Sequence, residues 1–202
     1  MLISLFILAY FIGSIPTALI IGKVFFGIDI REHGSQNPGA TNSLRVLGKK
    51  AALVVLLVDV GKGALAASIP FIFQVELSPL YPGLAAVIGH CFPIFAGFRG
   101  GKAIATTAGT LLVANFWLFL IAYLSFFIVI FITKYVFFGS ISVGLILLLY
   151  TIMNQGPEDD LLFLFFLLLL IFLHRTNIRN FIHHKEPKVT DKNLINDRIK
   201  PI

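Results

Sequence analysis

The sequence predicts an all-α integral membrane protein, and three observations carry that expectation. Of 202 residues, 57% are hydrophobic and only 13% charged, against about 25% charged in soluble domains. Runs such as 2–22 and 161–173 contain no charged residue, and a bilayer core takes about 20 apolar residues per helix. Two-residue alternation is absent. That removes a closed barrel, the other structure lipid permits, because every backbone polar group must be paired within it.

The segments follow in order. The first, 2–22, has no basic stretch ahead of it and reads as a retained span, not a cleaved signal. The second and third are 51–74 and 80–97. The apolar run 103–133 would be about 46 Å long as one helix, well beyond a hydrocarbon core of about 30 Å. Ala114–Asn115 offers a turn that divides it into 103–114 and 116–133. Segments 138–153 and 160–174 complete seven transmembrane helices, some of them short. The domain division is 1–180 for the seven-helix unit and 181–202 for a polar, loosely ordered cytoplasmic tail.

Charge orients these spans. With loop 23–50 inside, Lys23, Arg31, Arg45, Lys49 and Lys50 are cytoplasmic, as are Arg99, Lys102, Lys134 and the basic residues from Arg175 to Lys200. Of the 16 basic residues, Lys62 alone falls within a span. Glu76, Glu158, Asp159 and Asp160 fall outside. The positive-inside rule therefore places the N-terminus outside and the C-terminus in the cytoplasm. A single crossing by 103–133 would put the basic tail outside instead. The net charge of +6 thus reflects topology, and no nucleic-acid partner is expected. Cys91 is the lone cysteine, so no disulfide can form within the chain.

Polar residues at membrane depth are costly and draw attention. Asp59 and Lys62, spaced i, i+3, share a helix face and are expected to form a structural ion pair. The Gly61–Gly63 "GKG" is too short for a nucleotide phosphate loop. His90 has no second ligand at metal spacing, and no metal or cofactor is expected. In "FRGGK", Phe98–Lys102, two glycines allow close approach of the backbone to an anion and Lys102 adds a positive charge. "HGSQNPGATNSLR", His33–Arg45, has the same character. There Thr41 or Asn42 is expected to cap a helix starting near Ser43, whose N-terminus favours anions, with Arg45 one turn in. "TKYVFFGS" brings Ser140, and "HRTNIRN" brings His174, Arg175, Asn177 and Arg179. The topology puts all of these clusters on the inner face. One or two phosphates beside a hydrophobic wall are implied, and a substrate with an acyl chain and a phosphate fits.

Taken together, "GSQNPGATN", "DVGKG", "GHCFPIFAGFRGGKAIAT", "TKYVFFGS" and "HRTNIR" resemble the bacterial acyl-phosphate-dependent glycerol-3-phosphate acyltransferases, the PlsY family. The pieces lie in order over residues 34–179. The resemblance implies a multi-pass enzyme of the bacterial cytoplasmic membrane with its active site facing the cytoplasm. It would move a fatty acyl group from acyl phosphate to the 1-hydroxyl of sn-glycerol 3-phosphate, giving lysophosphatidic acid and phosphate for phospholipid biosynthesis. Membrane lipid and the enzyme that makes acyl phosphate are the further partners it implies.

On that resemblance Ser35, His90 and Lys102 are the catalytic candidates. Ser35, Asn37, Gly39, Thr41, Asn42, Gly100, Gly101 and Lys102 would hold the acyl phosphate, the glycines through their amides. Arg45, Lys102, Ser140, His174 and Asn177 would bind glycerol 3-phosphate. Direct transfer is expected, with Ser35 as a hydrogen-bond donor in preference to a nucleophile. The proton acceptor is either His90 or a phosphate oxygen of the substrate. This chain departs from the family pattern at Gln36 and Ala103, where glycine is usual, at Phe137, where serine is usual, and near Asn180, where a second basic residue is usual. A transporter of anionic metabolites is the alternative, since intramembrane charges and glycine-broken segments occur there too. A membrane scaffold for lipid enzymes is a third reading, but it leaves the phosphate-type loops unused.

Overall fold

The computed structural model describes residues 2–154, 157–191 and 198–202, and every regular element among them is helical. The chain divides into two compact units: one runs to Ala114 and takes in the chain end at 198–202, and the other is Asn115–Asp191.

In the first unit the N-terminal span is broken. Helix α1, Leu2–Gly13, and helix α2, Thr17–Phe26, are separated at Pro16, which has no N–H to continue the ladder. Helix α2 ends at Gly27, in the left-handed region at φ 65°, whose N–H bonds back to Gly22. Only a residue that tolerates this conformation closes a helix so tightly. Then come α3 (Ala40–Val46), α4 (Lys49–Ala67), α5 (Ile69–Ile72), α6 (Leu80–Cys91) and α7 (Ile104–Ala114). Helix α4 is central: it packs on α7, α3, α6, α1 and α2, while α1 also lies along α6. The α4–α7 contact is made backbone to backbone. A Cβ added at Gly63 would strike the Thr106 carbonyl, and one at Gly109 would strike that of Val60. Small residues achieve such approach where lipid offers no hydrophobic drive for association.

The second unit holds α8 (Phe116–Thr133), α9 (Val136–Asn154), α10 (Pro157–Leu173) and α11 (Arg175–Ile182). Helix α9 packs against both α8 and α10. The break expected near residue 115 is present: the Asn115 side chain accepts a hydrogen bond from the Leu118 N–H at 3.0 Å and starts α8. Helix α11 departs from α10 at 53°.

Large apolar side chains remain exposed, such as Leu57, Phe127, Phe131 and Ile132. An apolar surface of this extent belongs against lipid, and the chain is an all-helical integral membrane protein. Among the described residues, three segments are long and apolar enough to cross a membrane, Leu2–Phe26, Phe116–Thr133 and Val136–Met153, with a fourth if the bent pair α10–α11 is one span. Leu80–Ala96 and Ile104–Ala114 are shorter apolar segments. Helix α4 is 19 residues long but carries Lys49, Lys50, Asp59 and Lys62. Length alone therefore yields fewer full crossings than the seven expected.

The tail departs from expectation. Helix α11 continues to Ile182, and the Val189 N–H bonds to the Lys134 carbonyl at 2.9 Å. At the chain end the Ile199 N–H bonds to the Val46 carbonyl at 2.9 Å. Ile199 also packs on a core of Ala18, Ile21, Ile30, Val46, Leu47, Ala51 and Val55. An apolar residue in a polar tail finds an apolar seat in the first unit. Lys192 and the side chains of Glu158 and Asp159 lie outside the described residues.

Candidate active site

The stretch from Asp29 to Gly39 is held from within by Asn42, which is fully buried. Its Oδ1 accepts from the Ser35 N–H at 2.8 Å, and its Nδ2 donates to the carbonyls of Ile30 at 3.3 Å and His33 at 3.0 Å. Both amide hydrogens are thereby used inside the loop. Asn42 thus shapes the cradle, and its side-chain amide has no donor left for the phosphate contact expected of it. It is not a helix cap either. Helix α3 begins at Ala40, with Gly39 at the cap position and no capping side chain, because the Asn42 side chain is turned back to bond residues upstream of the helix. Ser35, Gln36 and Thr41 are exposed, Asn37 and Arg45 half-buried, and Gly39 buried. Gln36 sits at φ 60°, in the left-handed region.

The glycine loop folds back onto the end of α6. The Gly100 N–H donates to the Cys91 carbonyl at 3.2 Å, and the Gly101 N–H to that of His90 at 3.0 Å. These amides are therefore committed to the last turn of α6, and the expectation that they grip a phosphate is corrected. The glycines permit close approach instead: a Cβ at Gly101 would fall on the His90 ring, and one at Gly100 on the carbonyls of His90 and Cys91. Lys102 follows, half-buried, and α7 starts two residues later. Left-handed backbone at Gly97, Phe98 and Ala103 (φ 61°, 58° and 73°) gives the loop its shape.

His90 lies beneath this loop, almost fully buried. Its Nδ1 is 3.7 Å from Asp59 Oδ1. A ring enclosed between Asp59 and the Gly101 backbone is a support for the loop, and it is poorly placed for the general-base role, one of the two alternatives for the proton acceptor. Asp59 and Lys62 form the expected ion pair at 2.8 Å, both buried. The pair serves the broken first span. Thr17 Oγ1 donates to Asp59 Oδ1 at 3.0 Å, and Lys62 Nζ donates to the Ile15 carbonyl at 3.0 Å. The Ile15 carbonyl lies in the interruption beside Pro16, outside both helices, where it also accepts from the Thr17 N–H at 3.1 Å, in surroundings that supply no water.

A second cation was missed by the sequence reading. Arg31 joins the two loops of this unit: Nε and Nη2 donate to Asp29 at 2.9 and 2.7 Å, and Nη1 donates to the Ala96 carbonyl at 2.8 Å. The only available signal was the spacing "DIR", which sets a carboxylate two residues before a guanidinium.

In the second unit Ser140 and His174 are buried. Ser140 Oγ donates to the Val136 carbonyl at 3.1 Å, and His174 Nδ1 lies 2.9 Å from the Leu170 carbonyl. A ring whose Nδ1–H donates to that carbonyl presents Nε2 as its acceptor. Asn177 Nδ2 donates to Glu186 Oε1 at 2.6 Å, a partner also missed because Glu186 lay in the supposed tail. Phe137 is buried in an aromatic cluster with Tyr135, Phe138 and Phe181. Among the described residues no group of His, Cys, Asp and Glu is placed to hold a metal ion.

The family model described as glycerol-3-phosphate acyltransferase matches residues 3–184. The chain belongs to the glycerol-3-phosphate acyltransferase family. It is 49% identical to the glycerol-3-phosphate acyltransferase of Bacillus subtilis and 47% identical to that of Bacillus velezensis, in each case over 94% of this chain and 98% of the relative. The fold is similar to crystal structures of PlsY, an integral membrane glycerol 3-phosphate acyltransferase. Its glycerol 3-phosphate form superposes with a TM-score of 0.83 at 32% identity, over 92% of this chain and 94% of that one. Its lysophosphatidic acid form gives 0.80 at 29% identity, over 96% and 98%. The activity of this membrane acyltransferase is thus transfer to glycerol 3-phosphate.

Proposed function

We propose that the acyl donor is acyl phosphate and that the acyl group moves directly to the 1-hydroxyl of glycerol 3-phosphate, releasing lysophosphatidic acid and inorganic phosphate. The hydroxyl oxygen attacks the acyl carbon, the bond from that carbon to the phosphate oxygen breaks, and the hydroxyl proton passes to a phosphate oxygen. An activated mixed anhydride needs positioning and charge neutralisation more than a covalent intermediate. One observation carries this reading: in the first unit, the Ser35–Gly39 cradle and the Lys102 loop are tied to one another through Arg31. They carry the Ser35 hydroxyl and the Lys102 ammonium, groups suited to an anion.

In this reading Lys102 neutralises the donor's phosphate, and the first turn of α7 favours the same charge. Ser35, Asn37 and Thr41 form the cradle, with the Ser35 hydroxyl as a donor; the Gly39 N–H is taken by the Asn37 carbonyl at 2.9 Å and serves the turn. In the first unit the acceptor's phosphate is assigned to Arg45, suited to bidentate phosphate contact; in the second unit Ser140, His174 and Asn177 are its candidates on the family resemblance alone. The chain crosses the bacterial cytoplasmic membrane seven times, N-terminus out, with residues 1–180 as the catalytic domain and residues 181–202 on the cytoplasmic side. The positive-inside distribution supports this orientation. The enzyme that makes acyl phosphate is the partner this topology favours.

The decisive experiment presents purified protein with glycerol 3-phosphate and, in parallel, acyl phosphate, acyl-CoA and acyl carrier protein thioester. Turnover with acyl phosphate alone is expected. Lys102→Ala should reduce it at least about 100-fold, as loss of a charge-stabilising donor does. Equal turnover with a thioester, or an acyl group trapped on Ser35, overturns the reading. Uptake of glycerol 3-phosphate into proteoliposomes without acyl transfer would favour the transporter.

A further inference from the structure

We propose that Arg31 is a positioning residue that fixes the separation of the two loops holding the donor's phosphate. The inference rests on the functional reading above. The Arg31 guanidinium is used on two sides. Nε and Nη2 grip the Asp29 carboxylate, at 2.9 Å to Oδ1 and 2.7 Å to Oδ2. Nη1 reaches across to the Ala96 carbonyl at 2.8 Å. Ala96 lies 65 residues away in sequence, at the end of the turn Ile94–Ala96.

Each end of this clasp leads to a candidate binding group. On one side, Asp29 also accepts from the Arg31 N–H at 3.0 Å, and its carbonyl meets His33 Nδ1 at 3.0 Å. The Ile30 and His33 carbonyls then accept from Asn42, whose Oδ1 holds the Ser35 N–H. On the other side, Ala96 is followed by two left-handed residues, Gly97 and Phe98, and then by Gly100–Lys102. Arg31 links these loops directly, through the Asp29 carboxylate on one side and the Ala96 carbonyl on the other. Only a planar, forked cation makes all three contacts together; lysine offers a single point charge.

The clasp does not titrate in the working range. The Arg31 guanidinium holds the Asp29 carboxyl down at about 2, and Asp29 raises the already high Arg31 value. The other charges near it are Glu32, which also favours the guanidinium, and Lys23, which favours the carboxylate. Its effect is therefore expected on substrate affinity and not on the pH profile.

The test compares Arg31→Ala, Arg31→Lys and Asp29→Asn with Lys102→Ala, each purified, using phosphate release with acyl phosphate and glycerol 3-phosphate varied in turn. If Arg31 sets the loop spacing, Arg31→Ala raises KM for acyl phosphate about tenfold or more while KM for glycerol 3-phosphate stays within about twofold. Arg31→Lys, which keeps the charge but not the fork, falls between wild type and Arg31→Ala. Asp29→Asn should shift the same KM in the same direction, and it supplies the answer if Arg31→Ala does not fold. A uniform loss of kcat with unchanged KM, or equal rises in both KM values, overturns the proposal. So does full rescue by lysine. Lys102→Ala separates the two levels: if it leaves KM for acyl phosphate and turnover unchanged, the loop reading itself fails. If it disrupts them while Arg31→Ala and Asp29→Asn do not, the clasp alone fails.

Discussion

Replacing Gly101 by alanine tests the architecture of the lysine loop directly. The loop is pinned by the Gly101 N–H to the His90 carbonyl at 3.0 Å and by its neighbour to Cys91 at 3.2 Å. A Cβ at position 101 would fall on the His90 ring, which is buried and has Asp59 Oδ1 3.7 Å from its Nδ1. The ring has little room to turn, so the loop must lift. Forcing one methyl into a filled space costs about 1–3 kcal/mol, and the hydrogen bond lost in lifting adds about 1 kcal/mol. The strain is relieved locally, so it appears mainly in donor affinity: about 2 kcal/mol corresponds to roughly a 30-fold rise in KM for acyl phosphate. Phosphate-release kinetics with each substrate varied should show that rise, with a fall in Tm of only a few degrees. His90→Ala in the same chain removes the obstructing ring. The double variant should then recover part of the loss, giving a coupling of about 0.5–3 kcal/mol. Wild-type KM in Gly101→Ala, or strictly additive losses in the pair, would refute the packing argument.

Three further outcomes are expected. Lys62→Met leaves Asp59 buried without its cation and should cost about 3 kcal/mol in thermal or denaturant unfolding; Asp59→Leu combined with Lys62→Met should cost less than Lys62→Met alone. The Asp29–Arg31 pair gives a stability term with a defined acid limit. The folded-state carboxyl is depressed from 3.8 to about 2, so the term is complete above about pH 4 and lost as pH falls toward 2. Because the pair is partly open to solvent, its size is about 1 kcal/mol, and Asp29→Asn should abolish that part of an acid titration followed by tryptophan fluorescence. Ile199→Ser should lower Tm by withdrawing an apolar side chain from the core it shares with Val46 and Leu47, at about 1–2 kcal/mol, and limited proteolysis should cut the chain end faster.

The helical segments were legible because lipid removes the alternatives. Uncharged runs had to be helices, and the 103–133 run was too long for one, so length called for a break and Ala114–Asn115 offered the turn. The Asp59–Lys62 pair was legible from spacing. What it serves was not, because the carbonyl it satisfies belongs to Ile15, in the distant break between α1 and α2. The polar loops were legible as places of chemistry, yet the job of each side chain depended on contacts that no local pattern encodes. Asn42 reads as a cap or a ligand until its amide is seen bonded to Ile30, His33 and Ser35. The glycine amides read as a phosphate nest until the carbonyls ending α6 are seen to accept them. Arg31 was counted only as a cytoplasmic charge, since its reach to Ala96 is set by tertiary structure.

The departures from the family pattern gain a physical meaning from the backbone. Gln36 and Ala103, where the family resemblance leads one to expect glycine, both stand at positive φ, at 60° and 73°. A left-handed L-residue costs roughly 1–2 kcal/mol relative to its ordinary conformation. This chain keeps the conformation without the residue that makes it easy. The loop shape must therefore be imposed from outside each position, by Asn42 and the Gln36 N–H to His33 bond on one side and by the α6 carbonyls on the other. The two sites should respond differently to restoring glycine. Gln36 is exposed, so Gln36→Gly relieves strain with no packing loss. Set against about 0.4–1 kcal/mol for a freer unfolded chain, the net gain is up to about 1.6 kcal/mol. Ala103 is fully buried, and losing its methyl forfeits about 0.8 kcal/mol of burial, so Ala103→Gly should be close to neutral. A larger gain at 103 than at 36 in matched unfolding measurements would mean that strain does not govern these loops, and that contacts of the Ala103 methyl oppose their preferred shape.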